Sequence, residues 1–442
     1  MLQFLFIALY LVLVLVRPQE YPQMVDSGVP LLPLALVSAL LAWLASTRKR
    51  FDEPQYLLLP LFMLATCLSI AFNGWPGGAV EQFSLFLPSL VGFVVLANAT
   101  SSPRRMLVVL ALFTACAALL AVHGMEQATV GDGWTGMPLV DDGRIQYVGI
   151  FSDPNDLGML FVICVPMALY LSSRGGLLGL RRLFWLGLAG LLLHGIYLTN
   201  SRGAMLALVA MAGAYLWLRR GPLTAMVLAG GCLLVMRMVP SRLDQLDVGE
   251  QSASGRVDAW YEGMQMFIAN PVYGVGTGRF TEYHHLTAHN SLILVLAENG
   301  FVGFVLWFAF LGYCFWMMAR ILRHPAPAGV DADAGMGEEG GDAAVDAAAG
   351  LQLQWQRDRA IACTLLVSLV GFAATAFFLS RSYVILLYLL AAVVVAHSSG
   401  VRERFPSIPA FSLGRDLPRW LMLSALATVL FYLVLKILLA MS

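Results

Sequence analysis

Apolar runs of membrane-spanning size recur along the whole chain, separated by short polar stretches. They fall near 2–16, 29–46, 56–73, 84–100, 106–123, 155–172, 183–199, 203–218, 223–239, 291–319, 361–379, 383–397 and 419–440. A bilayer core takes about 20 residues of helix, and only helices or closed barrels satisfy the backbone there. The pattern therefore predicts an all-α polytopic membrane protein with about 12–13 transmembrane helices. The first run is short for a span and reads as an uncleaved signal-anchor or a tilted helix. It has no charged n-region and no small-residue cleavage site, so it is not read as a removed signal peptide.

The longer polar stretches divide the chain. Transmembrane helices over 1–123 precede a loop at 124–154, and central helices cover 155–239. A large loop at 240–290 leads into a helix at 291–319, then a linker at 320–360 and C-terminal helices over 361–442. Within that linker, His324-Pro325-Ala326-Pro327 opens a stretch of Asp, Glu, Ala and Gly poor in large apolar residues, which reads as disordered. In the 240–290 loop, Ser254 can cap a helix whose Val257, Trp260, Tyr261, Met264, Phe267 and Ile268 recur at helical spacing. Such a helix would lie on the membrane surface, and Asn270-Pro271 would stop it.

Composition agrees. The chain is 59% hydrophobic and 12% charged, with mean hydropathy +0.76; a soluble domain has roughly 25% charged residues. Formal net charge is zero, which argues against a nucleic-acid partner. Cys67, Cys116, Cys164, Cys232, Cys314 and Cys363 all lie in apolar runs without CxxC spacing, so they read as buried hydrophobes.

Basic residues set the orientation. With the N-terminus inside, the clusters Arg48-Lys49-Arg50, Arg104-Arg105, Arg174 with Arg181-Arg182, Arg219-Arg220, Arg320 with Arg323, and Arg402 with Arg404 all fall on the cytoplasmic side. The loops 17–28, 74–83, 124–154, 200–202, 240–290 and 380–382 then face outward. Arginines on that side need a reason: Arg17, Arg144, Arg202, Arg237, Arg242, Arg256, Arg279 and Arg381. Arg17, Arg237 and Arg242 read as snorkelling to headgroups. Arg202 sits in a short turn between two spans, where a charge is costly unless paired or facing a polar cavity. Arg256, in the first turn of the loop helix, would form an anion site with free backbone N–H groups, or else be a solvated partner of Asp258.

His289 closes the large loop where the next span begins, at the water–lipid boundary, with a ring that exchanges protons near neutral pH. Glu282, His284, His285 and His289 are the one group with metal-site character, but the i, i+4 histidines lack the intervening glutamate of zinc hydrolases. The expectation is no metal. His123 and His194 read as structural. Gly274-x-Gly276-x-Gly278 lacks the strand of a dinucleotide fingerprint and reads as a turn that passes close to something.

These motifs carry a resemblance. Phe151-x-Asp153-Pro154-Asn155-x-Leu157-Gly158, Ser201-Arg202-Gly203 with Leu206, Arg256 ahead of Asn270-Pro271-x-x-Gly274-x-Gly276, and His289-Asn290-x9-Gly300-x-x-Gly303 follow in order. Together they resemble the O-antigen ligase and polymerase superfamily of bacterial polytopic glycosyltransferases, over about 145–305, roughly a third of the chain. Arg-x3-Leu and His-Asn-x9-Gly-x-x-Gly mark the ligase branch. The resemblance implies a GT-C-like fold in the inner membrane. It implies inverting glycan transfer from undecaprenyl diphosphate to a lipid A–core hydroxyl at the periplasmic face, with no metal and no cofactor. The partners would be that donor, that acceptor and membrane lipid.

On this reading Arg202 and Arg256 bind the diphosphate, since guanidinium grips phosphate oxygens bidentately. His289 is the base on the acceptor hydroxyl or, if protonated, a phosphate donor; both roles stay open. Asp153, Asn155, Arg144, Arg279 and Asn290 are secondary candidates; Asp153 is an alternative base, though Asp-Pro-Asn also makes a good turn. Polymerase and protein O-oligosaccharyltransferase differ only in acceptor. A transporter would share the span count but place polar residues mid-membrane, and a non-catalytic scaffold would need no Arg/His group.

Overall fold

The computed structural model describes residues 1–25, 28–140, 143–174, 176, 179–227, 230–231, 246–326 and 342–441, with backbone alone for 246–254, 342–347 and 441. The long helices are α1 (Leu2–Val16), α2 (Leu31–Leu44), α3 (Gln55–Phe72), α4 (Pro76–Ala99), α5 (Pro103–Val130), α6 (Pro154–Ser172), α7 (Leu180–Thr199), α8 (Arg202–Arg220), α9 (Leu246–Ala269), α10 (Ser291–Arg323), α11 (Asp342–Ala376), α12 (Ile385–Arg404) and α13 (Leu413–Met441). Among the described residues there is no strand, only two isolated bridges in the 131–144 segment. The chain is an all-α polytopic membrane protein.

Ten of these helices are long and apolar enough to cross a membrane, fewer than the expected 12–13. The difference has identifiable sources. α2 is apolar but short, and α8 carries arginine at both ends. The expected span at 223–239 falls largely outside the described residues. Helices also outrun their apolar stretches. α5 continues to Val130, into the expected 124–154 loop. α11 starts at Asp342, within the stretch read as a disordered linker. Its Asp-Ala-Ala-Val-Asp-Ala-Ala-Ala opening lacks large apolar residues but is rich in alanine, the strongest helix former. The rest of that expectation, 327–341, lies outside the described residues.

The loop helix α9 corrects two expectations. It begins at Leu246, not behind a cap at Ser254. Arg256 therefore stands in its third turn, away from free N–H groups. Nor does its apolar face meet the membrane surface: Ala259, Trp260 and Met264 are buried. Trp260 packs edge-on against Phe377 and Phe431, each at 5.7 Å, so the helix docks on the bundle. The Trp260 ring is covered by the α11–α12 connector and by α13.

Burial follows position in the bundle. α6 and α12 are covered almost throughout and form its centre. α13 exposes Leu421, Met422, Leu426, Val429, Leu430, Leu433 and Val434, the outward apolar face that lipid requires. The two ends differ in kind. At one end, Arg402 pairs with Glu53 at 2.9 Å and Arg404 with Asp358 at 2.9 Å. Arg50 joins Glu403, and its backbone N–H donates to Asn98 at 2.7 Å. The clusters read as cytoplasmic lie at this end. The opposite end gathers 17–21, 73–76, 131–140, 143–153, 199–202, 270–290 and 377–384, joined by bonds such as Asn73 Nδ2 to the Gly274 carbonyl, 2.9 Å. Every outward motif is there.

Candidate active site

Three helix starts build the site. Asp153 caps α6, accepting from the Asn155 N–H at 2.7 Å and from Asn155 Nδ2 at 2.9 Å; Pro154 at the first helical position needs no N–H. Ser201 caps α8, putting Arg202 on its first residue. Asn290 caps α10, accepting from Leu292 N at 2.9 Å and Ile293 N at 3.1 Å. Side chains tie the starts together. Asn155 Oδ1 accepts from Ser201 Oγ at 2.8 Å and from Arg144 at 3.1 Å, and Arg144 Nε donates to the Thr199 carbonyl at 2.9 Å.

The α11–α12 connector is stitched to the start of α10. Asn290 Nδ2 donates to the Phe377 carbonyl at 2.9 Å, and Ser291 Oγ to the Leu379 carbonyl at 2.7 Å. Ser291 Oγ also accepts from Arg381 N at 2.9 Å. This delivers the Arg381 side chain to the cap of α6: its Nε donates to Asp156, and it lies 3.6 Å from Asp153. The sequence reading counted Arg381 among the outward arginines without a role, and missed Asp156. The signal was there: a second carboxylate at the start of an apolar helix.

A break in α10 holds the large loop. Gly300 sits at φ 61°, ψ −163° inside the helix, a region open essentially to glycine alone. A Cβ there would come within 2.5 Å of the Val272 carbonyl group. Through this opening the Asn270–Gly276 segment bonds to the parted helix: Val275 N to Ala297 O at 2.9 Å, Gly276 N to Glu298 O at 3.1 Å, and Phe301 N to Pro271 O at 2.8 Å. Gly274, at φ 70°, lies directly on Ala297 and Glu298. The glycine turn thus does pass close to something, namely the second glycine motif. Buried Glu298 accepts from Phe280 N at 3.3 Å and Tyr383 at 2.8 Å. Sequence reading also passed over Glu298, though a carboxylate within an apolar span is a signal in itself.

Electrostatics bring the remaining residues together. Arg256 is half-buried, and its pKa is lowered by burial and then by the positive charge of Arg202. His289 holds a left-handed backbone, φ 46°. Its pKa is lowered first by burial, then by Arg256 and Arg381, against an opposing pull from Asp153. Burial opposes the charge on Arg381 too, but Asp156 and Asp153 outweigh it and its pKa is raised. His289 thus feels the positive charges of Arg256 and Arg381, close to helix starts whose dipoles favour an anion.

Other candidates lie elsewhere. Arg279 pairs with Glu282 at 2.7 Å and donates to the Asn73 carbonyl at 3.3 Å; it is not among the charges acting on His289. His284 reaches Asp258 at 3.3 Å. Glu282, His284, His285 and His289 do not converge, and no group of three or more His, Cys, Asp or Glu side chains does so among the described residues. His123 is structural, bonded to Thr135 at 2.8 Å. Arg17 pairs with Glu20 instead of snorkelling, while Arg237 and Arg242 lie outside the described residues.

Residues 187–308, which contain Arg202, Arg256 and His289, match the O-antigen ligase family. The chain carries an O-antigen ligase domain. This places it with the O-antigen ligase and polymerase superfamily that its motifs resemble, and supports glycan transfer of that general type. Residues 2–176 match a family of unknown function. No curated protein matches the chain.

Proposed function

We propose that the protein transfers a glycan from undecaprenyl diphosphate to a lipid A–core sugar hydroxyl, at the periplasmic face of the bacterial inner membrane, on a GT-C-like fold. The observation that carries this reading is the meeting of Arg202, Arg256 and His289 at the end opposite the clustered basic residues. The positive charge of Arg202 acts on Arg256, and a multivalent anion such as a lipid diphosphate would offset that repulsion. In the transfer, the acceptor oxygen attacks the anomeric carbon and the bond from that carbon to the phosphate oxygen breaks, with inversion. His289 takes the hydroxyl proton, and its lowered pKa favours the base role over phosphate donation. Arg202 and Arg256 stabilise the charge that develops on the departing diphosphate.

Asp153 is occupied by its cap and Arg381, so it serves position rather than proton transfer. Arg144, Asn155 and Asn290 hold the helix starts in place. A groove of about 780 Å³ supports the lipid donor. Its walls are apolar (Val14, Leu36, Leu85, Pro88), and it ends at Arg17, Asp156 and Arg381. That suits an isoprenoid chain whose head lies near Arg381, a neighbour of His289. A transporter is disfavoured, because the candidate Arg/His residues collect at one end of the bundle and not at mid-depth.

Glycan analysis of a deletion strain tests the acceptor. Loss of all repeat units from lipid A–core supports ligation. Single repeat units remaining on lipid A–core would indicate the polymerase, and loss of glycoprotein alone would indicate a protein acceptor. Unchanged glycans in every fraction would sink the proposal.

A further inference from the structure

We propose that the end opposite the candidate active site carries a separate site for a phosphate anion, supplied by the headgroup of an anionic phospholipid. Arg104 in the first turn of α5, Arg174 just beyond α6 and Arg357 of α11 line one cavity of about 420 Å³. Ser102, Tyr170 and Gln354 add hydrogen-bonding groups, Leu107 and Ile361 form an apolar wall, and no carboxylate lines it.

The neighbours give this meaning. Basic residues at a cytoplasmic end are ordinary, and most are solvated or paired. Here Arg50, Arg402 and Arg404 each have a carboxylate. Arg105, Arg320 and Arg359 each donate to a backbone carbonyl, at 3.1, 2.9 and 2.8 Å. Arg104, Arg174 and Arg357 form no ion pair among the described residues, yet they come from three separate segments onto one cavity. Guanidinium forks converging on one half-open cavity fit phosphate oxygens. The α5 start, capped by Ser102, points its dipole the same way.

The apolar wall selects the source. Leu107 and Ile361 belong to spans α5 and α11, so a ligand here has acyl chains beside it. Ile361 is already buried, but half-buried Leu107 leaves apolar surface beside the arginines; a phospholipid covers it while its headgroup meets them, and a free phosphate does not.

The test is thermal unfolding of the full chain in neutral detergent with phosphatidylglycerol, phosphatidylcholine or inorganic phosphate added. Phosphatidylglycerol should protect at lower concentration than phosphatidylcholine. R104Q/R174Q/R357Q should weaken that protection roughly a hundredfold, about fivefold per arginine, while R220Q/R323Q, at the same end but outside the cavity, should not. If the triple variant does not fold, R357Q alone should give the fivefold loss. Equal protection of wild type and the folded variant would overturn the site. Protection by inorganic phosphate at the lipid's concentrations would overturn the lipid source and leave a soluble phosphate as ligand.

Discussion

At the residue scale, the base role proposed for His289 requires a neutral ring. Its pKa is held below the ordinary histidine value by burial and by Arg256 and Arg381. Activity should therefore fall on the acid side, as pH drops through a value under 6.5. Arg381→Gln removes a positive neighbour, so the acid limb should move to higher pH. A pH–rate profile checks this, and an unmoved limb in a folded variant would show that Arg381 does not act on the base. Arg202→Lys keeps the charge and loses the planar fork, and should slow transfer roughly a hundredfold; near-normal turnover would exclude a bidentate contact. Arg202, Arg256 and His289 stand out as candidates in the sequence because an outward arginine or a boundary histidine is unusual there. Arg381 was seen without its role, because its meeting with Asp153 and Asp156 spans more than 200 residues of chain.

At the element scale, the two glycine motifs are one device: a helix parted at Gly300 and a loop laid across the parting. Gly300→Ala adds a Cβ where the backbone of Val272 already lies, and the backbone strain alone costs about 1–3 kcal/mol. The loop carrying Arg256 and His289 should lose its seat, so thermal stability and transfer should fall together. Unchanged melting would refute the seat. The spans themselves were legible from hydropathy. The long helix α9 was only half legible, since a surface helix and a docked helix share the same apolar periodicity. What separates them is the partner face on α10 and α13, which comes from distant sequence. The alanine-rich start of α11 was misread because composition reports the lack of a core, not helix propensity.

At the scale of the whole molecule, the candidate site lies at one end and the carboxylate-paired arginines at the other. Single cysteines at Tyr283 and Ser46 should label with opposite accessibility to an impermeant reagent in intact cells, the first exposed and the second protected. The reverse would put the site in the cytoplasm. The most direct measurement uses purified protein in proteoliposomes with an undecaprenyl-diphosphate-linked glycan and lipid A–core, after chelation with EDTA. Wild type should release undecaprenyl diphosphate and glycosylate the acceptor. His289→Ala, equally folded, should lose activity by about 10²–10⁴-fold while retaining the donor. Full transfer by that variant, or activity that returns only with added divalent metal, would contradict the account.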